Sequence, residues 1–201
     1  MRTIKKYKQV FFVTIFAFIV CGIIYPLLMT VLAQIIFPKQ ANGSLIKMGD
    51  EVVGSELIGQ DFTDPKLFHS RPSAVNYNVY EDGDKYDGLA SGSKNLAVSN
   101  PNLKKRINED IDKFIKENPA VSKEDIPEDI ISQSGSGLDP HISVKAAQLQ
   151  VDRVAKNTNL SKENLEQLIK QNTSEKALGI FGEQTVNVLK LNIDLVSEMK
   201  K

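Results

Sequence analysis

Residues 10–37 read VFFVTIFAFIVCGIIYPLLMTVLAQIIF, an apolar run of 28 residues that contains no Asp, Glu, Lys, Arg or His. The hydrocarbon core of a bilayer is about 30 Å thick, and an α-helix crosses it with about 20 residues. The run is therefore long enough to span a membrane once. It predicts a single transmembrane helix over residues 10–37, which anchors the rest of the chain.

The segment before the run predicts the orientation of the anchor. Residues 1–9 hold four cationic residues and no acidic one. Because cationic flanks stay on the cytoplasmic side, we expect a cytoplasmic tail at 1–9, an extracytoplasmic domain at 38–201 and a location in the cell membrane. A cleaved signal peptide is the alternative, with Val31-Leu-Ala33 as its cleavage site. Such a peptide has an apolar core of only about 7–15 residues, so we expect the chain to stay uncleaved.

One face of the predicted span is suited to contact with another membrane helix. Thr14, Ala17 and Cys21 form a helical stripe of small residues, and Gln34 places a polar side chain near the outer end. Small residues let a second helix approach closely, and polar side chains can bond across the contact. We therefore assign these four residues to packing inside the membrane. Pro26, in the middle of the run, is tolerated there and can kink the helix.

Composition limits what the exposed part can do. Without the four cations of the tail, 21 basic residues face 25 acidic ones, which gives a net charge of −4. This balance argues against a nucleic-acid partner. The one cysteine, Cys21, lies in the predicted span, so the exposed domain has no disulfide and must be stabilised by burial alone.

The pattern beyond the span predicts one mixed α+β domain with helices concentrated in its second half. Short apolar pieces between Leu45 and Ile58 are separated by glycines, which is typical of strands and turns. Residues 62–80 are aromatic and irregular, and their prolines exclude a long helix. Residues 81–99 are rich in Gly, Ser, Asp and Asn, and they predict a mobile, solvated loop.

Three helices are predicted from their caps and periodicity. The first begins at Asn100-Pro101 and stops at Asn118-Pro119. The second begins at Ser143, and the third at Ser161, with Leu165, Leu168 and Ile169 facing inward. The tail is ambiguous because Thr185–Leu191 alternates like a strand, whereas Val186, Leu189, Ile193 and Val196 repeat like a helix. Helix is the favoured interpretation of the tail.

The segment Ser134-Gly-Ser-Gly-Leu-Asp-Pro-His-Ile-Ser143 is the strongest local anomaly. It lacks the Lys-Ser or Lys-Thr pair of a phosphate-binding loop and the Gly-x-Ser-x-Gly pattern of a nucleophile elbow. Asp139 and His141 have no regular spacing to further metal ligands. Gly135 and Gly137 instead predict unusual backbone angles in a turn, and Ser143 predicts a helix cap. We assign Gly135, Gly137, Asp139 and His141 to a partner-docking surface; a purely internal turn is the alternative.

A second segment, Ser70-Arg-Pro-Ser-Ala-Val-Asn-Tyr77, is marked by its arginine. Arg71 is one of four arginines in a chain with 21 lysines. Where lysine is the usual surface cation, an arginine indicates a need for fork-shaped bonding to a carboxylate or to backbone. We assign Arg71 and Ser73 to the docking surface as well, with an ordinary structural ion pair as the alternative.

Nine short motifs are spread over the whole chain. They are Tyr25-Pro-Leu-Leu28, Phe37–Ile46, Gly54-Ser-Glu-Leu-Ile-Gly-Gln60, Phe68-His-Ser-Arg-Pro-Ser-Ala74, Ser99-Asn-Pro-Asn-Leu103, Ser134–Ser143, Gln150-Val-Asp-Arg-Val-Ala155, Leu178-Gly-Ile-Phe-Gly-Glu183 and Val186-Asn-Val-Leu189. Together, and in this order, they resemble the C subunits of the bacterial Kdp potassium-transporting P-type ATPase. The chain departs from the family in two places. The family usually has Ser-Gly-Gly-Ser-Asn-Leu-Gly-Pro where this chain has Ser91–Val98 after an acidic insertion at Glu81–Asp87, and Val144 stands where proline is common.

The resemblance implies a non-catalytic subunit of a complex that uses ATP to take up K⁺. The implied partners are a channel-like potassium-binding subunit, the P-type ATPase catalytic subunit and a small membrane peptide. The resemblance also implies that the chain is necessary for assembly and raises the ATP affinity of the catalytic subunit. We expect ATP and K⁺ to act in the complex, with no cofactor bound directly by this chain.

Two other classes of function compete with this one. A membrane-anchored hydrolase would use Ser136 and His141, although these residues and Asp139 are too close in sequence for the usual triad. A solute-binding receptor would need a ligand cleft, which the sequence does not reveal.

Overall fold

The computed structural model describes residues 2–80 and 88–200, with side chains from Tyr7 onward; the insertion Glu81–Asp87 lies outside the described residues. The chain divides into two compact units, Met1–Val53 and Gly54–Lys201. The predicted class, one N-terminal apolar helix followed by a mixed α+β domain, is confirmed.

The first unit begins with one long helical rod. It runs through α1 (Arg2–Ile19), a π-helical turn (Val20–Ile24) and α2 (Tyr25–Ile36). Proline lacks an N–H and its ring collides with the carbonyl four residues earlier in a regular α-helix. Just before Pro26, the Tyr25 N–H bonds to the Val20 carbonyl five residues back, and this wider turn gives the ring its space. The stretch Tyr7–Ile36 is long and apolar enough to cross a membrane.

The rod ends at Phe37, whose backbone leaves the helical region, and the short helix α3 (Pro38–Ala41) follows. Strands β1 (Leu45–Met48) and β2 (Glu51–Ser55) then form a two-stranded sheet. These strands confirm the strand-and-turn pattern predicted between Leu45 and Ile58.

The second unit contains the helices and a small antiparallel sheet. The helices are α4 (Pro101–Glu117), α5 (Val144–Gln148), α6 (Val151–Thr158), α7 (Lys162–Gln171) and α8 (Val188–Met199). The strands β3 (His141–Ser143), β4 (Thr173–Ser174) and β5 (Thr185–Asn187) are ordered β3-β5-β4. In this register Val186 faces both Ile142 and Thr173.

Among the described residues, one hydrophobic core holds these elements together. Val186 from the sheet is fully buried against α5–α8, and Phe68 from the irregular segment enters the same cluster. Its fully buried side chains include Phe68, Ile142, Val154, Leu165, Val186, Leu191 and Leu195. Burial of a side chain of this size is worth about 1.5–3 kcal/mol, which is the main stabilisation available to a domain without disulfides.

The predicted caps are where the sequence placed them. Asn100 accepts the N–H of Asn102 at the start of α4, Ser143 accepts that of Ala146 at α5, and Ser161 accepts that of Asn164 at α7. Leu165, Leu168 and Ile169 face the core as predicted.

Two predicted elements are wrong in detail. The helix expected from Ser143 is two helices, because at Gln150 the N–H bonds three residues back to Ala147 and the side chain turns into the interior. The tail is not helical from Thr185 onward. It is strand β5 for three residues, and Asn187 then caps α8 by accepting the Lys190 N–H.

Candidate functional site

The two segments singled out by sequence lie against each other in the second unit. We call residues 70–77 and 134–143 the paired loops. The Arg71 guanidinium donates to Asp139 Oδ2 at 2.8 Å, to the Ser132 carbonyl at 3.2 Å and to Ser132 Oγ at 3.2 Å. This is the fork-shaped bonding predicted for an arginine, and its partners lie inside the domain.

Ser73 forms the second link between the paired loops. Its hydroxyl donates to the Gly137 carbonyl at 2.6 Å and accepts the N–H groups of Val75 and Tyr77. Gly137 has a φ of +68°, and a Cβ there would lie 2.8 Å from both the Gly92 carbonyl oxygen and Val75 Cγ2. Gly137 is thus required by both backbone angle and space. Gly135 is not, because its φ is not positive and nothing lies within 4 Å of its Cβ position; the prediction of an unusual backbone angle at Gly135 is wrong.

A left-handed turn continues the first loop. Asn76, Tyr77 and Asn78 have φ angles of 48°, 49° and 57°. This conformation costs a residue such as tyrosine about 1–2 kcal/mol, whereas asparagine tolerates it better. The Tyr77 hydroxyl donates to the Arg71 carbonyl at 2.8 Å, and burial raises the pKa of Tyr77 to about 12. The Tyr77 ring and the Asp139 carbonyl both crowd Gly59, where a Cβ would lie 2.6 Å from each. These contacts hold the strained turn in place.

Asp139 connects the loops to the sheet. Its carboxylate accepts the His141 N–H at 3.0 Å and lies 3.3 Å from His141 Nδ1. The hydrogen bond from the His141 side chain, helped by the His141 N–H and the Arg71 charge, outweighs partial burial and lowers the pKa of Asp139. Asp139 is therefore an ionised acceptor at neutral pH, and the His141 side chain is 36% exposed.

The geometry around Ser136 bears on the hydrolase alternative. Ser136 Oγ accepts the Leu138 N–H at 3.1 Å and lies 3.4 Å from Ser134 Oγ. Within the described residues, no hydrogen bond joins Ser136 to His141. A serine nucleophile needs such a contact with its base. Residues 2–80 and 88–200 also contain no group of three His, Cys, Asp or Glu side chains that could hold a metal ion.

A buried polar network behind the paired loops was missed by the sequence reasoning. Arg153 is buried, with 7% of the residue exposed. It donates to the carbonyls of Pro65 and Leu67, at 2.7 and 2.8 Å, and to Gln150 Oε1 at 2.6 Å. Burial lowers the pKa of Arg153 to about 10, with the Glu117 charge opposing that change. Arg153 thus stays charged and fixes the backbone that leads into Arg71. The rarity of arginine was the available signal.

The same network reaches helix α4. Gln150, fully buried, accepts the His69 N–H at 2.7 Å and donates to the His69 carbonyl. His69 Nδ1 lies 3.1 Å from Glu117 Oε2, and this hydrogen bond is the main cause of a lowered pKa at Glu117. The His69–Glu117 contact forms one wall of a cleft of about 490 Å³ that also exposes Arg71, Tyr77 and Lys113. Because the lining mixes acids and bases, its charge favours neither anions nor cations.

The predicted membrane-packing residues lie in the first unit. Thr14, Ala17 and Cys21 are on the exposed surface of the helical rod, and Cys21 lies in the π-helical turn. The Gln34 side chain is engaged locally, since its Oε1 accepts the Asn42 side-chain N–H at 3.0 Å. Contact of these four residues with a partner helix stays a prediction.

Comparison with known proteins identifies the family. The family model for KdpC, described as the K⁺-transporting ATPase, c chain, matches residues 7–197. A potassium-transporting ATPase KdpC subunit of Clostridium kluyveri is 54% identical over 199 residues, covering 97% of this chain and 95% of the relative. KdpC subunits of Bacillus mycoides and Caldanaerobacter subterraneus are 52% and 47% identical, covering 92% and 98% of this chain and 92% and 97% of those relatives. The chain belongs to the KdpC family, the c chains of K⁺-transporting ATPases.

Proposed function

We propose that this chain is a non-catalytic subunit of a high-affinity, ATP-driven potassium uptake complex and that the complex needs it for assembly. Its partners are a channel-like potassium-binding subunit, the P-type ATPase catalytic subunit and a small membrane peptide. The names of the relatives, potassium-transporting ATPase KdpC subunits, support membership in such a complex.

The observation that supports a docking role is that polar side chains within the paired loops hold these loops in a fixed shape. Arg71, Ser73 and Asp139 all bond within the domain, and they fix the shape of a loop surface that has a strained turn. Rigid, preorganised surfaces bind partners with less loss of entropy. A serine hydrolase would instead need a nucleophile in contact with its base, and no hydrogen bond joins Ser136 to His141 within the described residues.

The effect on ATP affinity is indirect. Residues 1–9 carry four cations and no acid, and cationic flanks favour a cytoplasmic position. We therefore place the domain on the external face, near the potassium entrance. ATP is cytoplasmic. A domain outside therefore raises ATP affinity by favouring one conformation of subunits that cross the membrane, which is a coupling between separate sites.

Co-expression of the tagged chain with the other three subunits tests the proposal. We expect the chain to bring down all three in detergent, and we expect omission of the chain to lower the yield of the assembled complex. ATP hydrolysis by complexes saturated with the chain should show a lower KM for ATP than complexes depleted of it. A tagged chain that purifies alone, or that hydrolyses a substrate by itself, would overturn the proposal.

A further inference from the structure

The loop between β4 and β5 is an apolar projection, which we call the finger (residues 175–184). Leu178 is 88% exposed, Ile180 75% and Phe181 64%. Within the finger, residues 177–181 form a tight turn closed by paired backbone hydrogen bonds between Ala177 and Phe181, N to O at 2.8 and 2.9 Å. Exposed apolar residues that occur singly are ordinary, but a contiguous group marks a contact site.

The finger holds a leucine in a left-handed backbone conformation that leucine disfavours. Leu178 and Gly179 have φ angles of 54° and 75°. Gly179 suits this region, whereas leucine loses about 1–2 kcal/mol there and asparagine is better tolerated. Burial of the Leu178 side chain does not offset this cost, since most of its surface faces solvent. A strained, exposed apolar side chain is explained by a contact outside the domain.

The charges of the finger indicate which kind of partner it contacts. Lys176 Nζ lies 3.8 Å from Glu183 Oε2, and Glu175 Oε2 accepts a hydrogen bond from the Gln184 side chain at 2.8 Å. With two acids and one base, the finger has a net charge of −1. Segments that insert into lipid surfaces carry basic residues around their apolar tip. Contact between two copies of the finger would bring like charges together. A protein groove with an apolar floor and a basic rim fits both the tip and its charge.

We infer that Leu178, Ile180 and Phe181 insert into an apolar, basic-rimmed groove on another subunit of the transport complex. The inference rests on the proposed function, because it supplies the contact by which the domain joins its partners. Leucine and phenylalanine held on a preformed turn lose little freedom on binding, so a small tip can contribute a large share of the affinity.

The test uses the full chain co-expressed with its partner subunits and purified in detergent. We expect Leu178→Asn combined with Phe181→Asn to lower complex yield at least tenfold. Leu178→Asn alone should keep or raise the melting temperature, because asparagine tolerates the left-handed backbone. The matched control is Leu89→Asn, which changes an equally exposed leucine (82% exposed) outside the finger and should leave yield unchanged.

The outcomes separate the finger from the proposed function. If the wild-type chain fails to purify with the partners, the proposed function falls and the finger's role falls with it. If the wild-type chain and the double variant assemble equally, the finger inference alone is wrong.

Two measurements check whether the tip of the finger contacts the membrane or a second copy of the chain instead. The chain has no tryptophan, so Phe181→Trp gives a single reporter in bilayer nanodiscs; quenching by brominated lipids would assign the tip to the membrane and overturn the inference. Sedimentation of the chain alone in detergent should show no concentration-dependent dimer that the double variant abolishes; such a dimer would assign the tip to a second copy.

Discussion

Arg71 Nη1 lies 2.8 Å from Asp139 Oδ2, and this contact joins two loops that are 68 positions apart in sequence. The side chains are 17% and 29% exposed, so the pair is only partly solvated. Because the same guanidinium also bonds to Ser132, one side chain fixes three points of the loop surface.

Replacing Arg71 by lysine should therefore cost more than a charge-conserving change usually does. Lysine can keep the contact with Asp139 but cannot also donate to both oxygens of Ser132. Loss of these two hydrogen bonds should lower the free energy of unfolding by about 1–2 kcal/mol, measured by denaturant unfolding of the chain in detergent. Lys105→Ala is the control, because its exposed pair with Glu109 at 3.8 Å should be worth less than about 1 kcal/mol. Equal effects for the two variants would contradict the role assigned to the fork.

The two glycines of the 134–143 loop should differ in their sensitivity to replacement by alanine. Gly137→Ala requires a left-handed alanine and places its Cβ 2.8 Å from the Gly92 carbonyl, so it should destabilise the domain by about 2–4 kcal/mol. Gly135→Ala meets open space at a φ that is not positive, and its effect should stay within about 0.5 kcal/mol. Melting temperatures of the two variants, measured side by side, check this. A Gly135→Ala variant as unstable as Gly137→Ala would contradict the open space seen at Gly135.

The acid dependence of stability should depend on Glu117. Its hydrogen bond with His69 lowers the pKa of Glu117 in the folded chain. A carboxyl with a lowered pKa stabilises the fold above its unfolded pKa, about 4.3 for glutamate, and this stabilisation is lost as pH falls through the folded value. Glu117→Gln should thus be less stable than wild type at neutral pH, and the difference should shrink below about pH 4.3. Unfolding midpoints across pH measure it, with Glu109→Gln as an exposed control on the same helix. A constant difference at all pH values would remove Glu117 from the acid response.

Local chemistry predicted most elements of this fold, whereas long-range contacts escaped it. The length of the run without charged residues predicted the apolar helix. Asn100, Ser143 and Ser161 predicted helix starts, because a helix cap depends only on its neighbours in sequence. The rarity of arginine predicted the fork of Arg71. The same argument applied to Arg153 would have flagged the buried network, yet its partners Pro65 and Leu67 lie more than 80 positions away. No local pattern identifies them.

The ambiguous tail has a similar cause. Thr185–Asn187 is a strand because β3 and β4 lie on either side of it, and a pairing of this kind is not written in the segment itself. The helical periodicity starting at Val186 was real but applied only after Asn187, whose side chain caps α8. Both patterns were present, and tertiary pairing decided where one ended.

The orientation of the chain should be visible by protease accessibility. The tail before residue 10 is cationic and the apolar run is free of charge, so we expect the domain to be outside and the N-terminus to be cytoplasmic. Protease added to intact cells or spheroplasts should digest the domain, while an N-terminal tag stays protected until the membrane is opened. A domain that survives until lysis would reverse the orientation. It would also remove the reason for an indirect effect on ATP affinity.

His141→Ala should separate a docking role of the paired loops from a purely internal one. The His141 side chain is partly exposed and touches Asp139 at 3.3 Å, while Arg71 continues to hold Asp139 from the other side. We therefore expect the melting temperature to change little, by no more than the equivalent of about 1 kcal/mol for one partly solvated hydrogen bond. We expect the yield of the complex or its ATPase activity to fall.

Asp139→Asn is the companion variant, because it keeps the shape but removes the charge that Arg71 and His141 both contact. It should lower the melting temperature more than His141→Ala does. A drop in melting temperature that accounts for the lost assembly would make the loop an internal turn. If neither stability nor assembly changes, His141 does not belong to the docking surface, and the docking contacts must come from elsewhere on the domain.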